Sequence, residues 1–232
     1  MKKNKLFTLR KIVAIATIAT IATVTGMFYT FTGCKTKYTL EKVDFNEPGL
    51  SASYVFPEYK EYPEFTRYID KQMSADYESY KKSAERSWKF SQKTTLTYRT
   101  EFEDRSNSRF VNAYFRKYLY SGPDKESEYI ITFCYDKKFK KIANVTELSG
   151  MTLKEISDYC RKDIKANLKY NDAKSKDFVD YFIDEGTVPE LKRFQNITAD
   201  KKKLTIHFSA NATAPEAYGV ITVKIPLAPL AH

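Results

Sequence analysis

Alternating hydrophobic and polar residues recur along the chain, and each such run predicts a β-strand. The strand-like runs cover residues 38–45, 51–56, 96–102, 110–120, 129–135, 193–198, 204–208 and 220–225. Two stretches instead place hydrophobic residues three and four positions apart, which predicts amphipathic helices. The first extends from about Pro63 to Phe90, and the second begins at Thr152, because Thr152 and Glu155 match a capping box. A short helix or turn is expected at 177–184.

This order of elements predicts an α+β protein that has a mostly antiparallel β-sheet with two main helices packed on one face. Residues 51–226 are expected to form a single domain, with an N-terminal portion at 51–120 and a C-terminal portion at 125–226. Residues 34–50 are either a tether or a first strand that ends in a turn at Pro48-Gly49. The 232 residues contain no internal repeat and no low-complexity linker.

The N-terminus has the pattern of an export signal. Five basic residues precede an uncharged, largely apolar stretch from Ile12 to Gly33, and Cys34 follows directly. The sequence Phe31-Thr32-Gly33-Cys34 resembles a relaxed bacterial lipobox, with Phe31 at the position that usually holds Leu. Residues 1–33 are therefore interpreted as a lipoprotein signal peptide and Cys34 as the lipidated residue. The alternative is an uncleaved signal anchor, since 22 uncharged residues can span a bilayer.

Both interpretations place the rest of the chain outside the cytoplasm. We expect it to be attached to the cell membrane or the outer membrane, through the acylated Cys34 in the first interpretation. Stable attachment needs more than one acyl chain, which a triacylated cysteine supplies.

The charge of the chain is informative chiefly through its location. The formal net charge is +10, but half of that excess lies in the first 33 residues, which contain five bases and no acid. The charge therefore predicts an export signal and no nucleic-acid partner. Two histidines and seven glycines argue against His-based metal sites, a His-centred triad and phosphate-binding loops. No catalytic residue, metal ligand or cofactor is predicted.

Two cysteines remain besides Cys34. Cys160 lies on the apolar stripe of the second helix, and Cys134 lies on a strand. An exported chain meets an oxidising compartment, so Cys134 and Cys160 form either a disulfide worth about 3 kcal/mol or two small buried apolar groups.

The other candidate residues are mostly explained by ordinary structure. His207 is expected at the surface, and Lys201-Lys202-Lys203 at a solvated hairpin tip. The carboxylate pairs Glu103-Asp104 and Asp184-Glu185 adjoin turns. Aromatic residues make up 15% of the chain, and most are expected to fill a half-buried sheet. Tyr218, in a loop with Pro215, is the candidate ligand contact, because a Tyr ring offers apolar area with a polar rim.

The C-terminal half resembles a known extracytoplasmic domain. The relevant segments are the strand Tyr129–Tyr135, Lys141-Ile142, Leu148, the capped helix start Thr152–Ile156, Phe178 with Tyr181-Phe182, the strand Leu204–Phe208, Ala214-Pro215 with Gly219, and Val223–Pro226. In this order they resemble the domain of RsiV-type anti-sigma factors, which also occurs on PdaC-type peptidoglycan deacetylases. The resemblance covers about Tyr129 to Pro226 and extends more loosely over 51–120. The chain lacks the Gly-Gly-Ala-His segment of many members, whose place is taken by Phe115 to Gly122.

The resemblance implies a binding or sensing domain that faces the cell envelope. The chain has neither a cytoplasmic sigma-binding region nor a deacetylase domain, so the expected function is non-catalytic binding of a protein or cell-wall ligand. An envelope or host protein such as lysozyme, the ligand of the RsiV branch, and peptidoglycan are the candidate partners, besides the membrane itself. The alternatives are a cell-wall enzyme that uses carboxylates in a cleft and a purely structural envelope protein.

Overall fold

The computed structural model describes residues 37–91, 95–120, 126–170 and 175–229. The elements follow one another as β1 (Thr39–Glu47), β2 (Leu50–Glu58), α1 (Pro63–Ser91), β3 (Leu96–Asp104), β4 (Phe110–Tyr120), β5 (Glu126–Asp136), β6 (Lys141–Ile142), α2 (Val145–Ser149), α3 (Leu153–Asn167), α4 (Lys176–Gly186), β7 (Ile197–Ala199), β8 (Lys203–Phe208) and β9 (Ile221–Pro226). The fold is α+β, as the sequence predicts. No helix in the described ranges is long and apolar enough to cross a membrane.

The first six strands form one sheet in chain order. Every neighbouring pair is antiparallel except β2 and β3, which are parallel and are connected through α1. The β1–β2 connection is a tight turn with Pro48 and Gly49 at its centre, and Gly49 has a φ of 81°. Pro before a residue with positive φ is the pattern of a type II turn. The strand alternative for 34–50 is therefore the one observed over Thr39–Glu47, which pairs with β2 along its whole length.

Helix α1 covers one face of this sheet. Its buried residues Phe65, Ile69, Met73 and Tyr77 recur every four positions, so they form one stripe along the helix. The stripe crosses the sheet diagonally, since the Phe65 ring lies 5.5 Å from the Tyr135 ring on β5 and the Tyr77 ring lies 5.3 Å from the Tyr54 ring on β2. Lys117 on β4 forms an ion pair with Asp76 of α1 at 2.7 Å.

The last three strands form a second sheet in the order β7-β8-β9. This sheet lies against the other face of the large sheet, where Asn112 of β4 is 1% exposed. The Asn112 side chain donates to Ala199 O at 2.9 Å and accepts from Ala199 N at 3.0 Å. Thr132 Oγ1 donates to Ile197 O at 2.9 Å. Side-chain hydrogen bonds thus join β7 to the large sheet.

Helix α3 packs on the second sheet and begins as predicted. Thr152 and Glu155 form the capping box, and Ile156, Cys160 and Ile164 are buried in one hydrophobic cluster with residues of β8 and β9. The α+β class is confirmed, but two details of the predicted arrangement are wrong. The strands form two sheets, and the two main helices pack on different sheets. The alternating pattern specifies which side chains point to the same face, but it does not specify which strands pair.

Candidate functional site

Helix α4 presents the most exposed aromatic side chains of the described residues. Phe178 is 59% exposed and Tyr181 is 62% exposed. The two lie three positions apart, so their side chains are neighbours on the helix surface. Phe182 completes the group, because its ring meets the ring of Phe178 edge-on at 5.0 Å between centroids. We call Phe178, Tyr181 and Phe182 the aromatic ridge.

The ridge stands on a firmly attached helix. Val179 and Ile183 of α4 are fully buried in the cluster that also contains the α3 stripe. At the end of α4, a Cβ added to Gly186 would lie 2.1 Å from the carbonyl oxygen of Ala212. The helix and the loop at 209–219 therefore approach each other more closely than any side chain at position 186 allows. The ridge residues are thus held by a rigid element.

The candidate contact Tyr218 lies near the same helix. Tyr170 donates a hydrogen bond from its hydroxyl to Asp180 of α4 at 2.6 Å. Burial first, and then this bond and the nearby Asp180 charge, raise the pKa of Tyr170 to about 12, and the Tyr218 hydroxyl adds to that rise. Tyr218 is half-buried and packs against the core, and its N–H donates to Pro215 O at 2.9 Å. Tyr218 thus packs on the core with part of its side chain accessible, and its role as a ligand contact with Pro215 stays a prediction. The more exposed aromatic ridge was not among the candidate sites predicted from the sequence.

The two described cysteines are free thiols. Both are buried in the cluster between the large sheet and α3. Burial raises the pKa of the Cys160 thiol to about 12 and also raises the pKa of Cys134. The structure thus has the second of the two expected states, in which both side chains are small buried apolar groups. Cys34 lies outside the described residues.

His207 is the clearest departure from the sequence-based expectation. It is 5% exposed, and its Nε2 lies 2.8 Å from Thr198 Oγ1. Its ring also meets the Tyr114 ring of β4 edge-on, at 5.3 Å. Burial, with a smaller effect of Arg105, lowers the pKa of His207 to about 4. The predicted alternation along β8 is correct, but the face opposite Ile206 packs on the large sheet instead of facing solvent.

The carboxylate pairs are separated by their positions in the elements. Glu103 and Asp104 are consecutive in a strand, so they point to opposite faces. Asp104 is buried and accepts hydrogen bonds from the hydroxyls of Tyr59 and Ser106. Asp184 forms ion pairs with Arg161 at 3.0 Å and Lys165 at 2.8 Å.

One cleft of about 270 Å³ contains two further carboxylates, on Asp136 and Glu147. Asp136 accepts two hydrogen bonds from Arg109, at 2.8 and 3.1 Å, and Glu147 pairs with Lys141 at 2.9 Å. Both acids thus have a cationic partner within the fold. Within the described part of the chain, no group of three or more His, Cys, Asp or Glu side chains could hold a metal ion.

Comparison with known proteins connects this fold to one family. Residues 148–228 match the model of a family described as a protein of unknown function, DUF3298. A crystal structure of a DUF3298 family protein from Pseudomonas aeruginosa PAO1 has a TM-score of 0.53 at 14% identity, over 84% of this chain and 93% of that chain. A DUF3298 family member from Bacteroides fragilis NCTC 9343 has a TM-score of 0.50 at 12% identity, over 84% and 92%. No curated protein matches the chain. The C-terminal part of the chain thus matches the DUF3298 family, and the chain has the fold of solved DUF3298 proteins.

Proposed function

We propose that this chain is a bacterial envelope lipoprotein, anchored through Cys34, whose domain binds a protein partner through the aromatic ridge of α4. The observation that carries the proposal is the exposure of Phe178 and Tyr181, at 59% and 62%, on adjacent turns of a rigid helix. Both residues lie within 148–228, the range that matches the DUF3298 family.

The chemistry of the ridge favours a protein partner. Large aromatic side chains dominate the affinity of protein interfaces because they bury much area with few rotatable bonds. Exposed apolar groups that cluster on one surface are typical of interaction sites, whereas isolated ones are ordinary. Side chains at i, i+3 and i+4 of one helix form a narrow stripe, which fits an apolar groove on another protein.

The N-terminal sequence supports the envelope location. Residues 1–33 have the order of a lipoprotein signal, and the relaxed lipobox ends at Cys34. Strand β1 begins at Thr39, so only four residues separate Cys34 from the sheet. The resemblance of residues 129–226 to the RsiV-type extracytoplasmic domain supports the same location and a non-catalytic binding role.

The test uses site-specific photocrosslinking in cells that produce the full chain. p-Benzoylphenylalanine replaces Tyr181 in one strain and Tyr159, which is 38% exposed on α3, in a control strain. We expect a protein adduct at position 181 that is absent at position 159. The Phe178→Ala/Tyr181→Ala variant should then bind the purified partner at least about 30-fold more weakly, as loss of an interface hot spot requires.

Two outcomes would contradict the proposal. The first is equal crosslinking at positions 159 and 181, because the ridge would then have no special role. The second is co-sedimentation of the protein with insoluble peptidoglycan that is lost in the Phe178→Ala/Tyr181→Ala variant, which would identify a cell-wall ligand instead of a protein.

A further inference from the structure

Two lysine-rich turns adjoin each other at one end of the molecule. The β5–β6 turn contains Lys137, Lys138 and Lys140 and is followed by Lys141, the first residue of β6. The β7–β8 turn contains Lys201 and Lys202 and is followed by Lys203, the first residue of β8. Asn107 connects them, because its side chain donates to Ala199 O at 2.7 Å and its carbonyl oxygen accepts from Lys137 Nζ at 2.6 Å. Ala199 immediately precedes the β7–β8 turn. We call these two turns together the basic end.

The basic end has an excess of positive charge. Seven lysines and Arg109 are present against Asp136, Glu147 and Asp200, and Asp104 and Glu61 add two negative charges beside Lys137, so three positive charges are in excess. Asp200 is occupied within its own turn, where it accepts from the backbone N–H groups of Lys202 and Lys203 at 2.7 and 2.8 Å. All of these lysines except Lys137 are exposed to solvent. Their charge is therefore available to an anionic surface.

An exposed phenyl ring lies in the middle of these lysines. Phe139 is 51% exposed, and the Lys138 ammonium lies 5.3 Å from its ring centroid. The turn that presents the ring is well defined, because Asp136 Oδ1 accepts from the N–H groups of Lys138 and Phe139 at 2.9 and 3.3 Å. Protein segments that bind membrane surfaces combine apolar side chains with lysines. This combination favours a position at the boundary between lipid headgroups and acyl chains.

The tether leaves the sheet at the same end. Thr39 at the start of β1 pairs with Glu58 at the end of β2, and Asp136 at the end of β5 pairs with Phe110 at the start of β4. The strand directions place the start of β1 and the end of β5 at the same end of the large sheet. Five residues from Cys34 to Thr39 span at most about 17 Å. The β5–β6 turn is four strands from β1, or about 19 Å to the side.

We propose that the basic end lies on the anionic phospholipid surface of the membrane in which Cys34 is anchored, with the Phe139 ring in the interface. This inference rests on the proposed lipid anchor and names a second partner for the anchored domain. The start of α1 adjoins the basic end, because the Tyr62 ring lies 5.3 Å from the Tyr135 ring and 5.8 Å from Lys137 Nζ. The neighbouring acid Glu61 therefore offsets Lys137, and the exposed lysines Lys138, Lys140 and Lys201–Lys203 supply the attraction to the lipid. A dissolved polyanion would satisfy the lysines but would leave the phenyl ring in water, and this difference favours a bilayer.

Trp88 provides an internal reference for the test. It is the only tryptophan of the chain, and it packs against Gly49 at the opposite end of the large sheet. Helix α1 has 29 residues and therefore spans about 43 Å between these ends. An indole introduced at position 139 and the natural Trp88 thus report on opposite ends of the same molecule.

The experiment uses the full chain, isolated from bacterial membranes and reconstituted into vesicles that contain brominated phospholipids. Bromine quenches tryptophan fluorescence only at short range. In vesicles with phosphatidylglycerol we expect strong quenching of the Phe139→Trp variant and none of Trp88 in the unchanged protein. The control is Phe178→Trp, which replaces a similarly exposed Phe on α4 and should remain unquenched.

Charge reversal tests the electrostatic part. Each lysine near an anionic surface raises the affinity about fivefold, so Lys138→Glu/Lys140→Glu, which changes four unit charges, should lower the affinity of the basic end about 10²–10³-fold. When these two substitutions are added to the Phe139→Trp variant, its quenching should disappear. The matched control Lys82→Glu/Lys89→Glu reverses two exposed lysines near the far end of α1 and should leave the quenching intact.

The outcomes separate this inference from the anchor on which it rests. Mass spectrometry of the same preparation determines whether Cys34 is acylated. Acylated Phe139→Trp protein that is not quenched, or that is quenched equally in phosphatidylcholine alone, would overturn the inference and leave the anchor in place. Quenching of the same variant when its Cys34 carries no lipid would refute the anchor while supporting a membrane-facing basic end.

Discussion

Replacement of His207 by Gln should remove a large part of the acid sensitivity of this fold. His207 lies between the two sheets, in contact with Thr198 on one side and Tyr114 on the other. Gln has a similar length and keeps a hydrogen-bonding atom near Thr198, but it does not titrate. The substitution therefore isolates the protonation of one buried imidazole.

The expected magnitude follows from the lowered pKa. The pKa of His207 is about 4 in the folded protein, against 6.5 for an exposed histidine. The unfolded chain therefore binds the proton more tightly, and protonation favours unfolding. The stabilisation is complete above pH 6.5, falls as the pH decreases from 6.5 to about 4, and then stays constant. At 1.36 kcal/mol for each pKa unit, the total loss is about 3 kcal/mol.

Urea unfolding at pH 7.0 and pH 4.5 measures this effect. Between these two pH values, the free energy of unfolding of the unchanged protein should fall by about 2.5 kcal/mol more than that of His207→Gln. The carboxylates and His232 are present in both proteins, so their contributions cancel in the comparison. Equal losses of stability in the two proteins would refute the assignment of His207 as a buried neutral group.

Three further predictions concern the anchor and the packing of the domain. Cys34→Ala should abolish labelling of the protein by radioactive palmitate, and continued labelling would contradict the lipobox interpretation. Gly186→Ala should destabilise the fold by about 1–3 kcal/mol in urea unfolding, because the new methyl group would meet Ala212 O at 2.1 Å; unchanged stability would disprove the close approach. Asn112→Ala should cost about 2–3 kcal/mol in the same assay, because Ala199 N loses its buried acceptor; a cost under about 0.5 kcal/mol would contradict this role.

The export signal at the N-terminus stays a prediction that depends on sequence order alone. Basic residues, an apolar stretch and Gly33-Cys34 form a pattern that export machinery recognises in an extended chain, so no tertiary structure is needed to propose it. The basic end is different. Lys137–Lys141 and Lys201–Lys203 are about sixty residues apart, and they adjoin only because Asn107 contacts both turns.

The aromatic ridge shows how much of a site a pattern reveals. Residues 176–186 contain apolar side chains at 178, 179, 181, 182 and 183, which is more than one buried stripe needs. That surplus was a signal that part of the helix surface is apolar and exposed. Which residues remain exposed was decided by packing, because the core takes up Val179 and Ile183 and leaves Phe178 and Tyr181 outside.

The sequence by itself determined the α+β class, the extent of α1, the capped start of α3 and most of the strands. These features depend on periodicity and on capping within four residues, which are local. The strand predicted at 193–198 is wrong over its first half, because Leu191–Phe194 is a 3-10 helix and β7 is Ile197–Ala199. The tertiary structure alone decided that the strands divide into two sheets, that His207 is buried, and that the two basic turns lie at the end of the large sheet where β1 begins. Each of these depends on contacts between residues far apart in the chain. Alternation specifies that a side chain points to one face, but only the packed neighbour determines whether that face meets water.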